Sequence, residues 1–399
     1  MHVLMIAQFF SPDFGGASTR AYNVAKGLLS QGCEVTVVCG FPHYPHGKIP
    51  TKYSGKFVVV EELEGIRLIR TWVPGIPHSS NIKRIFSHLG FIFSSFFGYI
   101  KAKKIDIILA MNPNLFSIFP AYTCKLIRKK NIIRNMDDSW PETFYDLGII
   151  KSRFSKKILN SLASFSYKVP VIITPISEGY VPILIEKYNI PKKKIIVIEH
   201  GVDTKKFFPS KVKENSNTIV MYSGALNVGY DFDTVIKSAK ILEKYPIQFI
   251  IRGTGDLKEK LQKMKTNMDI KNLEINTELL PEKELITLLN LADIFLLPMS
   301  SIKGIDSGLP TKIMEYQALG KPIICISNGE AGKYISETNS GLVTKIHDPD
   351  KLAELILNLI KDPQLASKLG KNGLINAQTN LTIECIGKRF LEIIKQHSK

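Results

Sequence analysis

The chain has 399 residues, 44% of them hydrophobic and 22% charged; this is ordinary globular composition, and the length suggests two domains rather than one. Five cysteines (Cys33, Cys39, Cys124, Cys325, Cys385) are odd in number, scattered and without a CxxC pair, which speaks against a disulfide framework or zinc site and for a reducing compartment. The formal net charge is +17, and residues 81–170 alone carry 15 Lys/Arg against 5 Asp/Glu, so the excess is concentrated.

The N-terminal Met1-His-Val-Leu-Met-Ile-Ala-Gln has no basic leader and no small-residue cleavage site; it reads as a buried first strand, not a signal peptide. Apolar strand-length runs then alternate with amphipathic helix-length stretches, the pattern of a parallel α/β sheet. Strands are predicted at 3–7, 34–39, 65–71, 105–110, 131–135, 171–174 and 195–198. Residues 209–217 are polar and read as a linker, after which strands resume at 218–223, 246–251, 273–276, 294–297, 322–326 and 341–343. The predicted architecture is two doubly wound Rossmann-like domains facing across a cleft, residues 1–208 and 218–381.

The basic region brackets the most apolar run in the chain, Ile85 to Ile100, with Lys83 and Arg84 before it and Lys101, Lys103 and Lys104 after it. With His88 and three serines in it, the run falls short of the roughly 20 apolar residues a membrane span needs. A basic-flanked aromatic helix suits the interface of an anionic bilayer, so residues 83–104 are the predicted membrane-contacting segment. A core helix with solvated basic ends is the alternative. No base-stacking or groove-reading motif accompanies the charge, and no nucleic-acid partner is predicted.

In open α/β sheets ligands bind at the C-terminal ends of strands. Three such ends carry glycine turns that lead into helices. Gly15 and Gly16 follow the first strand, with Arg20 on the next helix; Gly253 and Gly255 sit between Arg252 and Lys258; Ser307, Gly308, Leu309, Pro310 and Thr311 lead into a helix predicted to run to about Leu319. Exposed N–H groups at such helix starts accommodate anions. In the third, Lys312 adds a point charge suited to phosphate, and Glu315 is an acceptor suited to vicinal hydroxyls such as those of a ribose. A nucleoside-diphosphate clamp and an intrahelical Lys312–Glu315 surface pair both fit this pattern. Asp231-Phe-Asp233 and Asp348-Pro-Asp350 each match a DxD metal motif, yet both precede helical runs and are predicted N-caps; no metal is predicted.

Taken in order, these stretches resemble the retaining, GT-B-fold enzymes of glycosyltransferase family 4, in the surface-polysaccharide branch similar to L-fucosamine transferases. The resemblance runs nearly end to end. It rests on Gly15-Gly16 with Arg20, Phe41-Pro-His-Tyr-Pro-His-Gly-Lys-Ile-Pro50, Asp138-Ser-Trp-Pro-Glu142, Ile176-Ser-Glu-Gly179 and His200-Gly-Val-Asp203. In the second half it adds Tyr222-Ser-Gly224, Gly253-Thr-Gly-Asp256, Pro310-Thr-Lys-Ile-Met-Glu-Tyr316 and Gly320-Lys-Pro322.

The resemblance implies that Glu315, matching the second glutamate of the family's Glu-x7-Glu motif, binds the donor ribose. It places Lys312 and the backbone of Gly308–Thr311 near the diphosphate, with Gly15 and Gly16 closing over it. Thr277-Glu-Leu279-Leu280 would bracket the base, with Gly224 in the same donor site, and a final helix from about 382 would return to the first domain. Lys312, Arg252 and Asp138 are the catalytic candidates; Arg20, His43, Tyr44, Trp140 and Glu142 are the acceptor candidates. Two departures stand out. Ser307 occupies the position of the motif's first glutamate, with Asp306 beside it. Residues 224–230 lack the Arg and Lys that many relatives carry, which shifts weight onto Lys312, Arg252, Lys258 and Lys303.

The expected function is transfer of a sugar, from a UDP-sugar in preference, to a glycan or lipid-linked acceptor, without cofactor or metal, on the cytoplasmic face of the membrane. A nucleotide-sugar epimerase or hydrolase of the same fold, or a catalytically silent membrane adaptor, are the alternatives.

Overall fold

The computed structural model describes residues 1–44, 47–76, 81–111, 115–210 and 217–398, less the side chains of 81, 82 and 84. His46 of the 41–50 segment, most of the expected linker and the Arg84 side chain lie outside the described residues. The chain forms two compact units, Met1–Gly201 together with Ile383–Lys399, and Val202–Thr382.

In the first unit the strands are β1 (His2–Ile6), β2 (Glu34–Gly40), β3 (Val58–Leu63), β4 (Ile66–Thr71), β5 (Ile107–Ala110), β6 (Ile132–Met136) and β7 (Ile172–Pro175). They form one sheet in the order β3-β4-β2-β1-β5-β6-β7. Its helices are α1 (Gly16–Ser30), α2 (Asn81–Ile100), α3 (Ile118–Arg128), α4 (Glu142–Asp146) and α5 (Arg153–Lys168). Side chains alternate along β1: Val3 and Met5 enter one core with residues of α1, and Leu4 and Ile6 enter another with Phe91 and Tyr99 of α2.

The sheet is mixed, not all-parallel as predicted, because β3 pairs antiparallel with β4. The turn between them is Glu64-Gly65, with φ of 50° and 83°, a conformation that suits a two-residue hairpin. β3 escaped notice because it is a half-exposed edge strand without clean alternation. The strand predicted at 195–198 is reduced to a short companion of β7, in which Ile196 N–H donates to the Ile173 carbonyl (3.0 Å) and Ile198 N–H to that of Pro175 (2.9 Å).

The second unit contains β8 (Thr218–Ser223), β9 (Ile247–Arg252), β10 (Leu273–Asn276), β11 (Ile294–Pro298), β12 (Ile323–Ile326) and β13 (Gly341–Thr344), paired in parallel in the order β10-β9-β8-β11-β12-β13. Its helices are α6 (Phe232–Ile241), α7 (Lys258–Asn267), α8 (Glu282–Leu289), α9 (Lys303–Asp306), α10 (Thr311–Ala318), α11 (Glu330–Glu337), α12 (Pro349–Lys361) and α13 (Pro363–Asn380). Val202 N–H donates to the Leu381 carbonyl (2.8 Å) and Ser210 N–H to Asn290 Oδ1 (2.8 Å). Residues 202–210 therefore fold with this unit, and the first unit closes at Gly201 rather than at 208. The last helix, α14 (Ile383–His397), packs on α1, adding Ile386, Phe390, Ile393 and Ile394 to that core. Gly27 and Gly387 meet at the crossing, where a Cβ on either would overlap the other helix's backbone.

Candidate active site

Neighbouring parallel strands β8 and β9 deliver two loops side by side. Gly224 N–H donates to the Arg252 carbonyl (2.9 Å), Leu226 N–H to that of Thr254 (2.9 Å), and Leu257 N–H to that of Leu226 (3.0 Å). A Cβ on Gly253 or Gly255 would overlap the carbonyl of Gly224 or Leu226, and both glycines have positive φ, 142° and 154°. These glycines exist for loop-on-loop contact. A Cβ on Gly224 would overlap the Lys312 stem, so the lysine lies directly across that glycine.

Lys312 belongs to α10, whose start at Pro310 has no side-chain cap; Ile313 N–H donates to the Pro310 carbonyl (3.1 Å), so the Thr311 and Lys312 N–H groups are the first-turn donors without a hydrogen-bond partner among the described residues. Tyr316 fixes the helix: its hydroxyl accepts from Ser223 N–H (3.0 Å) and donates to the Ser223 carbonyl (3.1 Å), and its ring stacks on Phe295 at 3.9 Å. Gly320, with φ 67°, ends the turn as predicted.

Lys312 Nζ donates to Tyr230 Oη (2.9 Å) and lies 4.8 Å from the Tyr230 ring centroid and 5.5 Å from that of Tyr222. Among the described residues it makes no ion pair, so the intrahelical Lys312–Glu315 bridge is not formed. Glu315 is partly exposed, and its carboxylate has no hydrogen-bond partner among the described residues. Burial pushes the carboxyl up to about 7, against the pull of Lys312 and with help from Glu282. A cation held only by aromatic groups and an unengaged acceptor thus sit one turn apart at an uncapped helix start. This arrangement can take a phosphate and a hydroxyl pair.

The other predicted residues of this unit divide by environment. Arg252 is buried, and its guanidinium donates to the Glu278 carbonyl, so it braces the 277–280 loop on which Leu279 is exposed and Leu280 half-buried. Lys258, at the start of α7, and Lys303 are exposed. Ser307 Oγ donates to the Lys303 carbonyl (2.8 Å); the buried Gly308 and Leu309 and half-buried Thr311 carry the chain into α10. Asp306 is engaged elsewhere: its carboxylate accepts from Ser327 Oγ (2.7 Å), which in turn accepts from Gly329 N–H (3.0 Å). Asp231 caps α6 through Thr234 N–H (3.2 Å) and also accepts from His347 N–H (3.0 Å). Asp348 caps α12 through Lys351 N–H (2.9 Å). Both are helix caps, as predicted.

In the first unit, Gly15 (φ 104°) and Gly16 are exposed at the α1 start, which has no side-chain cap. Arg20 is fully buried: its guanidinium donates to Asn135 Oδ1 (3.0 Å) and to the carbonyls of Ile198 (2.8 Å) and Glu199, and faces Asp137 at 3.9 Å. Burial lowers it to about 10 and raises Asp137 to about 7. Arg20 is thus a clamp between α1, β6 and the 198–199 strand.

His43 is buried and pushed down to about 4 by desolvation; its Nδ1 lies 2.7 Å from the Phe41 carbonyl. Asp13 accepts from the N–H groups of His43 and Tyr44, both at 2.8 Å, which sets the start of the 41–50 segment and leaves the Tyr44 ring 36% exposed. Asp138 is exposed at the end of β6 and Trp140 is half-buried. Glu142 accepts from Lys187 Nζ (2.8 Å) and Tyr188 Oη (2.5 Å), a structural engagement. Sequence reasoning missed Tyr230, Tyr222 and Asp137. The tyrosines' only sequence signal is that they flank the loop where a cation was sought.

Two family models match, Glycosyltransferase Family 4 over residues 14–206 and Glycosyl transferases group 1 over residues 203–374. The chain belongs to glycosyltransferase family 4. The transferase is 23% identical to the Escherichia coli protein named as colanic acid biosynthesis glycosyl transferase WcaI, across 99% of this chain and all of that one. It is 27% identical to a GDP-mannose-dependent phosphatidylinositol monomannoside mannosyltransferase of Corynebacterium glutamicum, over 50% of this chain and 55% of that enzyme; the match spans about half the length of that relative. Its fold is GT-B: sucrose-phosphate synthase of Thermosynechococcus elongatus superposes with a TM-score of 0.77 at 15% identity, covering 99% of this chain and 98% of that one. Anabaena HepE in complex with UDP gives 0.70 at 13%, covering 99% and 100%.

Proposed function

We propose that the transferase moves a sugar from a nucleotide-sugar, a UDP-sugar in preference, to a hydroxyl of a glycan or polyprenyl-diphosphate-linked glycan in surface-polysaccharide synthesis. Transfer retains the anomeric configuration and uses no metal, and the enzyme works on the inner face of the cell membrane. The observation that carries the reading is Lys312, an ammonium that forms no ion pair among the described residues, held by Tyr230 and Tyr222 at a helix start without a side-chain cap. Relatives named for colanic acid and amylovoran biosynthesis support the polysaccharide setting, and the UDP complex of HepE supports the base.

In this reading Lys312 and the first-turn N–H groups of α10 take the diphosphate, Glu315 accepts from the ribose hydroxyls, and backbone groups of 277–280, braced by Arg252, hold the base. The acceptor is assigned to the first unit's Tyr44, Trp140 and Asp138, which are exposed or half-buried, whereas the buried His43 supports the Tyr44 segment from beneath. The acceptor hydroxyl attacks on the face from which the diphosphate departs. As the anomeric bond to the phosphate oxygen breaks, the acceptor's proton passes to that oxygen. The protein's main task is stabilising charge growing on the leaving group, for which one preorganised donor is worth on the order of 3 kcal/mol.

The test is a thermal-shift screen of UDP-, GDP- and ADP-sugars, followed by product analysis with the sugar that stabilises most. Glycoside formation with retained configuration is the expected result. Hydrolysis or epimerisation alone points to the same-fold alternatives, and the absence of any nucleotide response refutes donor binding.

A further inference from the structure

Helix α2 is turned inside out relative to an ordinary amphipathic helix. Its buried face carries Ser87, His88, Phe91, Ser94, Ser95, Gly98 and Tyr99, largely small or polar. Its outer face carries Ile85, Phe86, Leu89, Phe93, Phe96, Phe97 and Ile100, each 39–62% exposed. At 100° per residue these seven occupy one stripe about 120° wide. The small inner residues let the helix settle close on the sheet: a Cβ on Gly98 would press on Thr71 and Val38, and one on Gly90 on Pro74. Phe91 and Tyr99 dock α2 on its own domain; the outer-face aromatics do not.

The stripe continues onto the β3–β4 hairpin. Phe57 (39% exposed) and Trp72 (38%) stack at 6.3 Å, and the Phe57 ring lies 5.3 Å from Phe97 and 6.1 Å from Phe93. At about 150–250 Å² per aromatic side chain, the exposed area is on the order of 700 Å², beyond the few hundred Å² typical of a soluble surface. Charge names the occupant. Residues 77–133 hold nine Lys/Arg and a single acid, Asp106, which is spent on the His2 N–H at 2.8 Å. Lys101, Lys103 and Lys104 are exposed past the end of the stripe, and Lys56, the neighbour of Phe57 in the chain, is exposed as well. Arg128 donates to the carbonyls of Tyr99 (3.2 Å), Ile100 (2.9 Å) and Ala102 (3.0 Å), holding a cation at the helix end.

We infer that the outer face of α2 and the Phe57/Trp72 edge of the β3–β4 hairpin together form one docking surface for an anionic lipid bilayer, aromatics inserted and lysines on the headgroups. No described helix is long and apolar enough to cross a membrane, and the geometry is that of a helix lying in the interface. This surface deepens the membrane setting of the proposed function and rests on that part of it, not on the transfer chemistry.

The test is flotation of the full chain with vesicles, needing neither donor nor acceptor. Wild type should float with phosphatidylglycerol/phosphatidylcholine vesicles, stay behind with pure phosphatidylcholine, and weaken with added salt. Phe93→Ser/Phe97→Ser should lower vesicle affinity at least tenfold. Lys101→Glu/Lys103→Glu/Lys104→Glu, which touches no core, should do so at low salt and supplies the test if the first variant unfolds. The proposal is overturned if wild type ignores anionic vesicles at low salt, or if both variants float as wild type does. It is equally overturned if the patch instead holds a dimer in light scattering that Phe93→Ser/Phe97→Ser dissolves.

Discussion

Replacing Lys312 by alanine removes the one cation that the α10 start brings to Gly224. The structural loss is small: one hydrogen bond to Tyr230, about 1 kcal/mol, and two ring contacts at about 0.5–1 kcal/mol each. Against a total stability of about 5–15 kcal/mol, the variant stays folded, with a lowered Tm. The catalytic loss is larger, because a charge preorganised for the leaving group is worth about 3 kcal/mol. That is roughly 150-fold in kcat. Steady-state kinetics with the preferred donor should therefore show kcat falling about a hundredfold while donor KM moves by less than about fivefold. Tyr230→Phe keeps the ring and loses only the hydroxyl, so its kcat should fall by no more than about tenfold. A Lys312→Ala enzyme whose kcat stays within about twofold of wild type would refute the leaving-group role, and a rise confined to KM would reassign Lys312 to uniform binding.

Glu315→Gln should raise donor KM by about tenfold or more, with kcat far less affected, because it removes a charged acceptor. With the Glu315 carboxyl raised to about 7, wild-type donor affinity should decline as pH falls through 7, an inflection the variant lacks. The stability sign is opposite. A folded pKa above the ordinary 4.5 contributes stability that is complete below 4.5 and lost as pH rises through 7, so Glu315→Gln should raise Tm at pH 8 and leave it unchanged at pH 4. Arg20→Met should lower stability by about 3–5 kcal/mol, since Asp137 is left buried without its cation; acceptor KM of the protein that remains folded should be unchanged, and a changed KM at unaltered Tm would restore Arg20 to the acceptor site.

The parallel strands were legible because most are short apolar runs, several closed by glycine or proline, and hydrophobic burial fixes such runs in a sheet. The glycine turns at 224, 253 and 255 were legible for a related reason: only glycine tolerates that backbone and that closeness. The Asp231 and Asp348 caps were local as well, each aspartate answering an N–H three residues on. What was not legible lies between residues far apart. Lys312 finds Tyr230 across 82 positions, and nothing in the helix's own spacing tells whether the lysine pairs with Glu315 or turns away from it. Arg20 read as a site residue, yet in the fold its partners converge from β6 and 198–199 to bury it.

Helix α2 shows the division most clearly. Its sequence determined that residues 85–100 would be helical, aromatic and flanked by lysines. Periodicity could not say which face looks outward, since a stripe of phenylalanine and a stripe of serine and glycine both repeat at helical spacing. The tertiary structure decided it through shape. Thr71, Val38 and Pro74 leave no room for a side chain at Gly98 or Gly90, so the face with the glycines and serines goes in, Phe91 and Tyr99 with it, and the other phenylalanines are left facing out.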